Sequence, residues 1–161
     1  MTSILHFFQG IPNWLTTITI SAIPVIELRG AIPLAVTVFK MDPKLAMALG
    51  VLGSLLPVLP IFIILSLITK YIYHFPQIAK FLNWVFDRTR RKGKNIEKYK
   101  LLGLILFVGI PLPGTGVWTG SIAAYLFGLS MWSTFVGCFL GTLIAGIIMT
   151  AGSLGIKSLV S

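Results

Sequence analysis

The sequence predicts an all-α integral membrane protein built as an inverted repeat, and three observations support this fold class. Of the 161 residues, 56% are apolar and only 11% are charged, a balance typical of a chain that lies mostly in lipid. Leu45 to Thr69 and Met131 to Ile156 carry no charge, and each is long enough to cross a hydrocarbon core of about 30 Å. A shorter apolar run broken by prolines and glycines precedes each of them. Each half therefore reads as an interfacial helix, a re-entrant broken helical hairpin and one transmembrane helix.

These elements predict the boundaries of two repeats, residues 1–75 and residues 76–161. The first repeat is expected to contain an N-terminal interfacial helix, a re-entrant segment at 12–39 and a transmembrane helix at 44–70. The second is expected to contain an amphipathic helix at 76–92, a basic loop at 93–100, a re-entrant segment at 101–128 and a transmembrane helix at 130–157. Asp42 and Ser130 precede the two spans and are predicted to cap them.

The positive charge is concentrated in one place. The net charge is +9, and eight of the thirteen basic residues lie between Lys80 and Lys100. Such clustering beside apolar spans follows the positive-inside rule and does not indicate a nucleic-acid surface. We expect the segment 80–100 on the cytoplasmic side of the cell membrane, near anionic lipids. The single cysteine, Cys138, excludes an internal disulfide and a cysteine-based metal cluster, and we expect neither a metal nor a cofactor.

The two halves align at an offset of 87 to 88 residues. If each broken stretch returns to the side it entered, each half crosses once and the halves have opposite topology, as in many secondary transporters. Both termini then lie outside. The alternative is that both broken stretches cross fully, which gives four spans, parallel repeats and both termini inside. The matched pairs are Ile23-Pro24 with Ile110-Pro111, Phe39 with Phe127, Asp42 with Ser130, Leu52-Gly53 with Leu140-Gly141, and Leu55 with Leu143.

The first broken stretch carries the only charges inside an apolar segment, Glu27 and Arg29. Pro24, Gly30 and Pro33 are predicted to break its helix. In a turn or extended chain, residues two apart point the same way. The two side chains could pair only to reduce the cost of burial. In a functional interpretation Glu27 takes up a proton or cation, and Arg29 holds an anionic head group in its planar fork.

The second broken stretch has no charge, and its predicted breaks are Pro111 and Pro113. Its glycines expose backbone N–H groups and its hydroxyls add donors. A half-helix beginning near Thr119 would direct its positive end at the membrane midplane, where an anion is favoured. The side chain of Trp118 could form one wall of such a site, or it could only fill space in the core. The candidate site residues are Gly114, Thr115, Gly116, Trp118, Thr119 and Ser121.

The motifs Glu27 to Leu34 and Pro111 to Ser121 resemble the family labelled small multi-drug export proteins, over nearly the whole chain. That family looks like a distant, compact relative of the DedA membrane proteins, which share two re-entrant loops in an inverted repeat and are linked to flipping of phosphorylated polyprenyl and other lipids. By position, the resemblance points to Glu27, Arg29 and the loop from Pro113 to Ser121. The DedA pattern carries an arginine in its second loop, and this chain has none there.

Three functional hypotheses follow. The leading one is a secondary transporter of an amphipathic, anionic substrate, such as a lipid phosphate (undecaprenyl phosphate, for example), coupled to a proton or monovalent cation through Glu27. The second is a proton-coupled exporter of cationic drugs with four spans and Glu27 as the shared acid. The third is a non-transport assembly subunit that contacts partners through Gly137 and Gly141.

An enzyme is not expected, because no nucleophile and base can be assembled at membrane depth. Two spans and two hairpins are little material to enclose a site, so we expect a homodimer or a larger oligomer.

Overall fold

The computed structural model of the chain describes residues 10–72, 93–112 and 114–160, and all secondary structure in this part of the chain is helical. The expected N-terminal interfacial helix, the expected amphipathic helix at 76–92 and Pro113 lie outside these ranges. In chain order the helices are α1 (Asn13–Ala22), α2 (Glu27–Thr37), α3 (Pro43–Leu55), α4 (Val58–Ile72), α5 (Gly93–Gly109), α6 (Val117–Leu126) and α7 (Met131–Val160).

Two stretches have the length and composition to cross a membrane. Pro43–Thr69, which comprises α3 and most of α4, is 27 residues long with a mean hydropathy of 2.6, and Met131–Ile156 in α7 is 26 residues long with a mean hydropathy of 2.0. Only 39% and 33% of their most apolar windows are buried, so most of these side chains point outward, unlike those of a soluble core helix. Both stretches predicted as spans are therefore helical and are long and apolar enough to cross a membrane, as expected of a helical membrane protein.

The predicted caps of both spans are present. The amides of Lys44 and Leu45 donate to Oδ1 of Asp42 at 2.9 and 3.2 Å. The amide of Ser133 donates to Oγ of Ser130 at 3.1 Å. Each side chain thus accepts from backbone N–H groups that have no partner within the first helical turn.

Between and before the spans lie two helical hairpins, α1–α2 and α5–α6. The helices α1, α2 and α6 have 10, 11 and 10 residues, about 15 Å each, which is too short to cross a bilayer. The first hairpin turns at residues 23–26 and the second at residues 110–116. Pro24 and Pro111 therefore lie in the turns, as predicted.

Two details differ from the sequence prediction. Gly30 and Pro33 lie inside α2, so they do not break the helix. Proline removes one backbone donor, and the packing of α2 against its neighbours outweighs that loss. The stretch 93–100, predicted as a basic loop, is helical, because α5 begins at Gly93 and continues into the apolar run Tyr99–Gly109.

The described residues form two compact units. The first contains the residues up to Ser54 and those from Ala145 onward, and the second contains Leu55–Ile144. The first unit is thus the α1–α2 hairpin, α3 and the C-terminal half of α7. The second is the α5–α6 hairpin, α4 and the N-terminal half of α7. Each unit combines one hairpin with parts of both spans.

The core of the first unit forms around one face of α2. Leu28, Ile32 and Val36 recur at helical spacing and are almost completely buried. They pack with small residues of α3 and α7, which let the helices approach closely. The complete buried cluster is Leu28, Ile32, Ala35, Val36, Ala46 and Ala145, with Met47 and Met149 packed against it.

In the second unit the hairpin packs on both spans. On one side α5 lies against α7 at Gly137, where an added Cβ would come within 2.8 Å of Cδ2 of Leu104. On the other, the Tyr125 ring of α6 meets Phe62 edge to face at 5.2 Å, and its hydroxyl donates to Oγ1 of Thr69 in α4 at 2.8 Å. Gly137 and Gly141 of α7 both lie against α5. The surface that the assembly-subunit hypothesis assigns to partners is therefore covered within the chain.

One close contact is the same in both units. A Cβ added at Gly53 would strike the carbonyl oxygen of Ile18 and lie 2.7 Å from Cβ of Ser21. A Cβ added at Gly141 would lie 3.0 Å from the carbonyl oxygen of Ile105 and 2.7 Å from Cβ of Val108. Ile18 and Ser21 precede Ile105 and Val108 by 87 residues, and Gly53 precedes Gly141 by 88. The first helix of each hairpin therefore lies on its span at the same register.

Candidate functional site

The turn between α1 and α2 reverses the chain with a strained residue at its end. Pro24 has no N–H to continue α1, and Val25 at the tip is 91% exposed. Glu27 follows with φ +47°, in the left-handed region that residues other than glycine occupy at a cost of about 1–2 kcal/mol. Its amide donates to the carbonyl of Ile23 at 3.0 Å. Helix α2 begins at this residue.

The left-handed backbone at Glu27 brings its side chain to Arg29. Nη1 of Arg29 donates to Oε2 of Glu27 at 2.6 Å, and the side chains are 16% and 4% exposed, respectively. In a regular helix residues two apart diverge, so the pair depends on the turn. The expected contact between the two charges is present, and the carboxylate is the more deeply buried partner.

Ser54 of α3 holds this turn in place. Its Oγ accepts from the amide of Leu28 at 3.1 Å and donates to the carbonyl of Ser21 at 3.2 Å. One partner is a last-turn carbonyl of α1 and the other a first-turn amide of α2, groups that a helix end leaves without intrahelical partners. Because Ser54 is 1% exposed, water cannot easily replace it. Ser54 is not among the site residues predicted from the sequence. A hydroxyl beside Gly53 in an aliphatic run was the one available signal.

The second turn uses its hydroxyls internally. Oγ1 of Thr115 donates to the carbonyls of Ile110 and Leu112 at 2.8 and 2.9 Å. Oγ1 of Thr119 donates to the carbonyls of Gly114 and Gly116 at 2.7 and 3.1 Å. These two candidate site residues therefore shape the loop. Helix α6 begins at Val117, with Gly116 as the N-cap residue, two residues before the predicted start.

The remaining candidates of this stretch fall into different environments. Ser121 is fully buried, and its Oγ lies 3.8 Å from Sγ of Cys138 on α7, so it belongs to a helix contact. Trp118 is half buried, Gly116 is buried and Gly114 is exposed. The structure thus places Gly114, Thr115 and Gly116 in one loop, bonds Thr119 in the first turn of α6 to that loop, and separates Ser121 from it.

Left-handed residues occur at matching positions of the two hairpins. In the second hairpin they are glycines, Gly114 at φ +84° and Gly128 at φ +71°. In the first they are Glu27 at φ +47° and Lys40 at φ +52°, which precede those glycines by 87 and 88 residues. Lys40 is exposed, whereas Glu27 is buried. Glycine satisfies this backbone conformation without strain, so a reason for glutamate at 27 must come from its side chain.

Residues 10–72, 93–112 and 114–160 hold no cluster of three or more histidine, cysteine or acidic side chains that could bind a metal ion. The polar chemistry that these residues do offer is one buried carboxylate–guanidinium pair at a helix break.

Fold and site together define a helical membrane protein with a buried ion pair in a broken helical hairpin. The family model described as "Putative small multi-drug export protein" matches residues 27–148, and the chain belongs to that family. The match begins at Glu27, directly after the first hairpin turn, and includes the second turn, which confirms the resemblance seen in the sequence. The distant similarity to DedA proteins stays a prediction. No curated protein and no solved structure matches the chain significantly.

Proposed function

We propose that this protein is a secondary transporter of the cell membrane that moves an amphipathic, anionic substrate such as a lipid phosphate, with a proton or monovalent cation coupled through Glu27. The observation that carries the proposal is the buried Glu27–Arg29 pair, 2.6 Å across, at a left-handed residue of a helix break. Membrane transport also agrees with the family's description.

The cost of this arrangement supports a chemical role. Glu27 adds backbone strain to the desolvation of two charges, and a buried ion pair seldom repays its desolvation in stability. The matching position of the other hairpin has glycine and avoids both costs. A buried ionisable pair within an apolar helical hairpin is typical of a substrate or ion pathway.

The pair also suggests how coupling would occur. In the exchange we propose, a substrate phosphate takes the place of the Glu27 carboxylate on Arg29, and the carboxylate then loses this cationic partner. Protonation of Glu27 removes that uncompensated charge, so the proton and the anion stabilise each other's binding. The net charge of the site is the same before and after the proton and the anion bind, so the site carries no extra charge into the membrane. The expected coupling is therefore uptake of one proton with one negative charge of the substrate.

The architecture we propose for this transporter is the inverted repeat of residues 1–75 and 76–161. The shared register of the Gly53 and Gly141 contacts supports a repeat, as do the matched left-handed residues. If both hairpins re-enter, each half crosses once and the halves have opposite topology, the plan in which broken helices meet near the midplane. With the segment 80–100 in the cytoplasm, both termini lie outside. A homodimer would supply the further walls of the site.

Proteoliposomes with an entrapped or fluorescent lipid phosphate test this function. We expect Glu27→Gln and Arg29→Ala each to reduce transport at least tenfold. The first removes the group that takes up the proton, and the second removes the group that binds the anion. Arg29→Lys keeps the charge but loses the planar fork, so it should be intermediate. Lys44→Gln, at an exposed lysine, is the matched control and should leave transport unchanged. Wild-type rates in both site variants would refute the proposal.

The second candidate, proton-coupled export of cationic drugs, is favoured by the family's description and by a buried acid. The two candidates make opposite predictions for Arg29. A cationic drug would be repelled by the guanidinium, so Arg29→Ala should increase drug transport while it abolishes transport of an anion. Absence of flux for both classes with the wild-type protein would leave a non-transport role.

A further inference from the structure

A second potential site lies in the second unit, away from the ion pair. A cleft of about 460 Å³ separates α5 from α6, a size within the range of small-ligand pockets. One wall is a single face of α5, on which residues recur three or four positions apart. These are Lys100, Gly103, Leu104 and Phe107, and the opposite wall includes Phe127 and Leu129.

The lining combines apolar surface with a single cation. Nζ of Lys100 donates to the carbonyl of Phe127, directly after the end of α6, at 2.9 Å. From Lys100 to Phe107 the α5 wall is about 10 Å long at 1.5 Å per residue, and Lys100 is its N-terminal member. The cleft therefore presents a charge at one end of an apolar face.

We infer that this cleft binds an anionic phospholipid, with one acyl chain between α5 and α6 and the phosphate on Lys100. A lipid of the surrounding bilayer is the ligand class that joins a long apolar chain to an anionic head group at the interface. In the sequence, Lys92, Lys94 and Lys98 precede Lys100 with one acid, Glu97, among them. Tyr99 beside Lys100 is 74% exposed, a residue type enriched at membrane interfaces.

The inference goes beyond the proposed transport function, since it uses no residue of the ion-pair turn. The bound lipid would be a resident ligand of the protein and not the substrate. A purely structural role for Lys100, namely capping the end of α6, makes a different prediction. Glutamine at 100 keeps a donor for the carbonyl of Phe127 but loses the charge, so it separates capping from phosphate binding.

A second variant addresses the acyl chain. A Cβ at Gly103 would have no atom within 4 Å, and Gly103 lines the cleft, so the side chain of Gly103→Leu should enter the space that an acyl chain would occupy. Leucine also has a higher helix propensity than glycine, so the variant should fold. Gly152 on α7 has the same open surroundings outside the cleft, which makes Gly152→Leu the matched control. Lys44→Gln is the control for charge.

The experiment is native mass spectrometry of the delipidated full chain in detergent, titrated with phosphatidylglycerol or phosphatidylcholine of identical acyl chains. We expect the wild type to bind phosphatidylglycerol about fivefold more tightly, as one lysine near a phosphate implies. Lys100→Gln should remove this preference, Gly103→Leu should weaken both lipids at least tenfold, and both controls should match the wild type.

Three results would overturn the inference. One is equal binding of the two lipids by the wild type, which would show that Lys100 does not discriminate between the two head groups. The second is unchanged binding in both cleft variants. The third is a loss of dimers in Gly103→Leu without a change in lipid binding, which would assign the cleft to contact with a second chain.

Discussion

Glu27 and Lys40 share a left-handed backbone but differ in every other respect. Lys40 follows the end of α2, is exposed and has φ +52°, so its conformation serves the chain reversal alone. Glu27 is buried, and its carboxylate is held by Arg29. In the described part of the chain, the two left-handed residues that are not glycine therefore differ at the residue scale: the side chain of Lys40 is exposed, and that of Glu27 is held in an ion pair.

This difference predicts opposite effects of glycine. Lys40→Gly should raise the free energy of unfolding by up to about 1 kcal/mol, because relief of strain exceeds the added entropy of the unfolded chain. Glu27→Gly relieves the same strain but leaves Arg29 without the carboxylate, so stability should fall. Denaturant unfolding in detergent measures both.

The double variant Glu27→Gly with Arg29→Met completes this comparison. It removes the strain and both charges, so it should be at least as stable as the wild type while transport is lost. A double variant that is both less stable and still active would contradict the functional interpretation of the pair.

Ser54 provides a second test at the residue scale. Ser54→Ala should lower the free energy of unfolding by about 1–3 kcal/mol, since the Leu28 amide and the Ser21 carbonyl lose a buried partner. Ser66→Ala is the matched control, because Ser66 on α4 donates only to the carbonyl of Ile63 in its own helix. Equal effects of the two substitutions would show that Ser54 does not hold the turn.

At the scale of elements, the hairpins lie on their spans through glycines. Gly53 and Gly141 allow a backbone carbonyl of the hairpin to touch the span, which any side chain would prevent. Such contacts fix the position of the hairpin along the helix.

The glycine contacts predict a position-dependent effect of one methyl group. Gly141→Ala should destabilise by about 1–2 kcal/mol, because its Cβ would meet Val108 and the carbonyl of Ile105 at 3.0 Å or less. Gly152→Ala, in open space on the same helix, should be neutral or stabilising, since alanine favours the helix. Thermal unfolding of the two variants in one detergent measures the difference. Equal melting temperatures would mean that the close approach is absent.

The sequence predicts these elements where a local physical rule acts. Uncharged runs indicate the two stretches long and apolar enough to cross a membrane, and Asp42 indicates a cap, since both signals are local. The helix continues through Pro33, against the prediction, because the packing of α2 around it comes from residues distant in sequence. The role of Ser54 has little local signal for the same reason, since its partners, Ser21 and Leu28, are 33 and 26 residues away. The left-handed angle at Glu27 has no signal in composition.

At the scale of the whole molecule, the re-entrant and four-span arrangements predict different sides of the membrane for one cap residue. In the re-entrant arrangement Ser130 faces the cytoplasm, whereas in the four-span arrangement it faces outward. Asp42 faces outward in both, so it serves as the internal control. In a Cys138→Ser background, Asp42→Cys should react with an impermeant maleimide in intact cells and Ser130→Cys should react only after lysis. Labelling of both in intact cells would support four spans.

The division of each span between the two units has a consequence for assembly. The core around α2 requires Ala145 and Met149, which lie at the far end of the chain, and the α5–α6 hairpin packs on Phe62 and Thr69 from the first half. Fragments 1–75 and 76–161 produced separately should each be degraded, while their co-expression should restore a folded complex. The two halves thus depend on each other for folding, and the core around α2 can be completed only after Ala145 and Met149 have been synthesised.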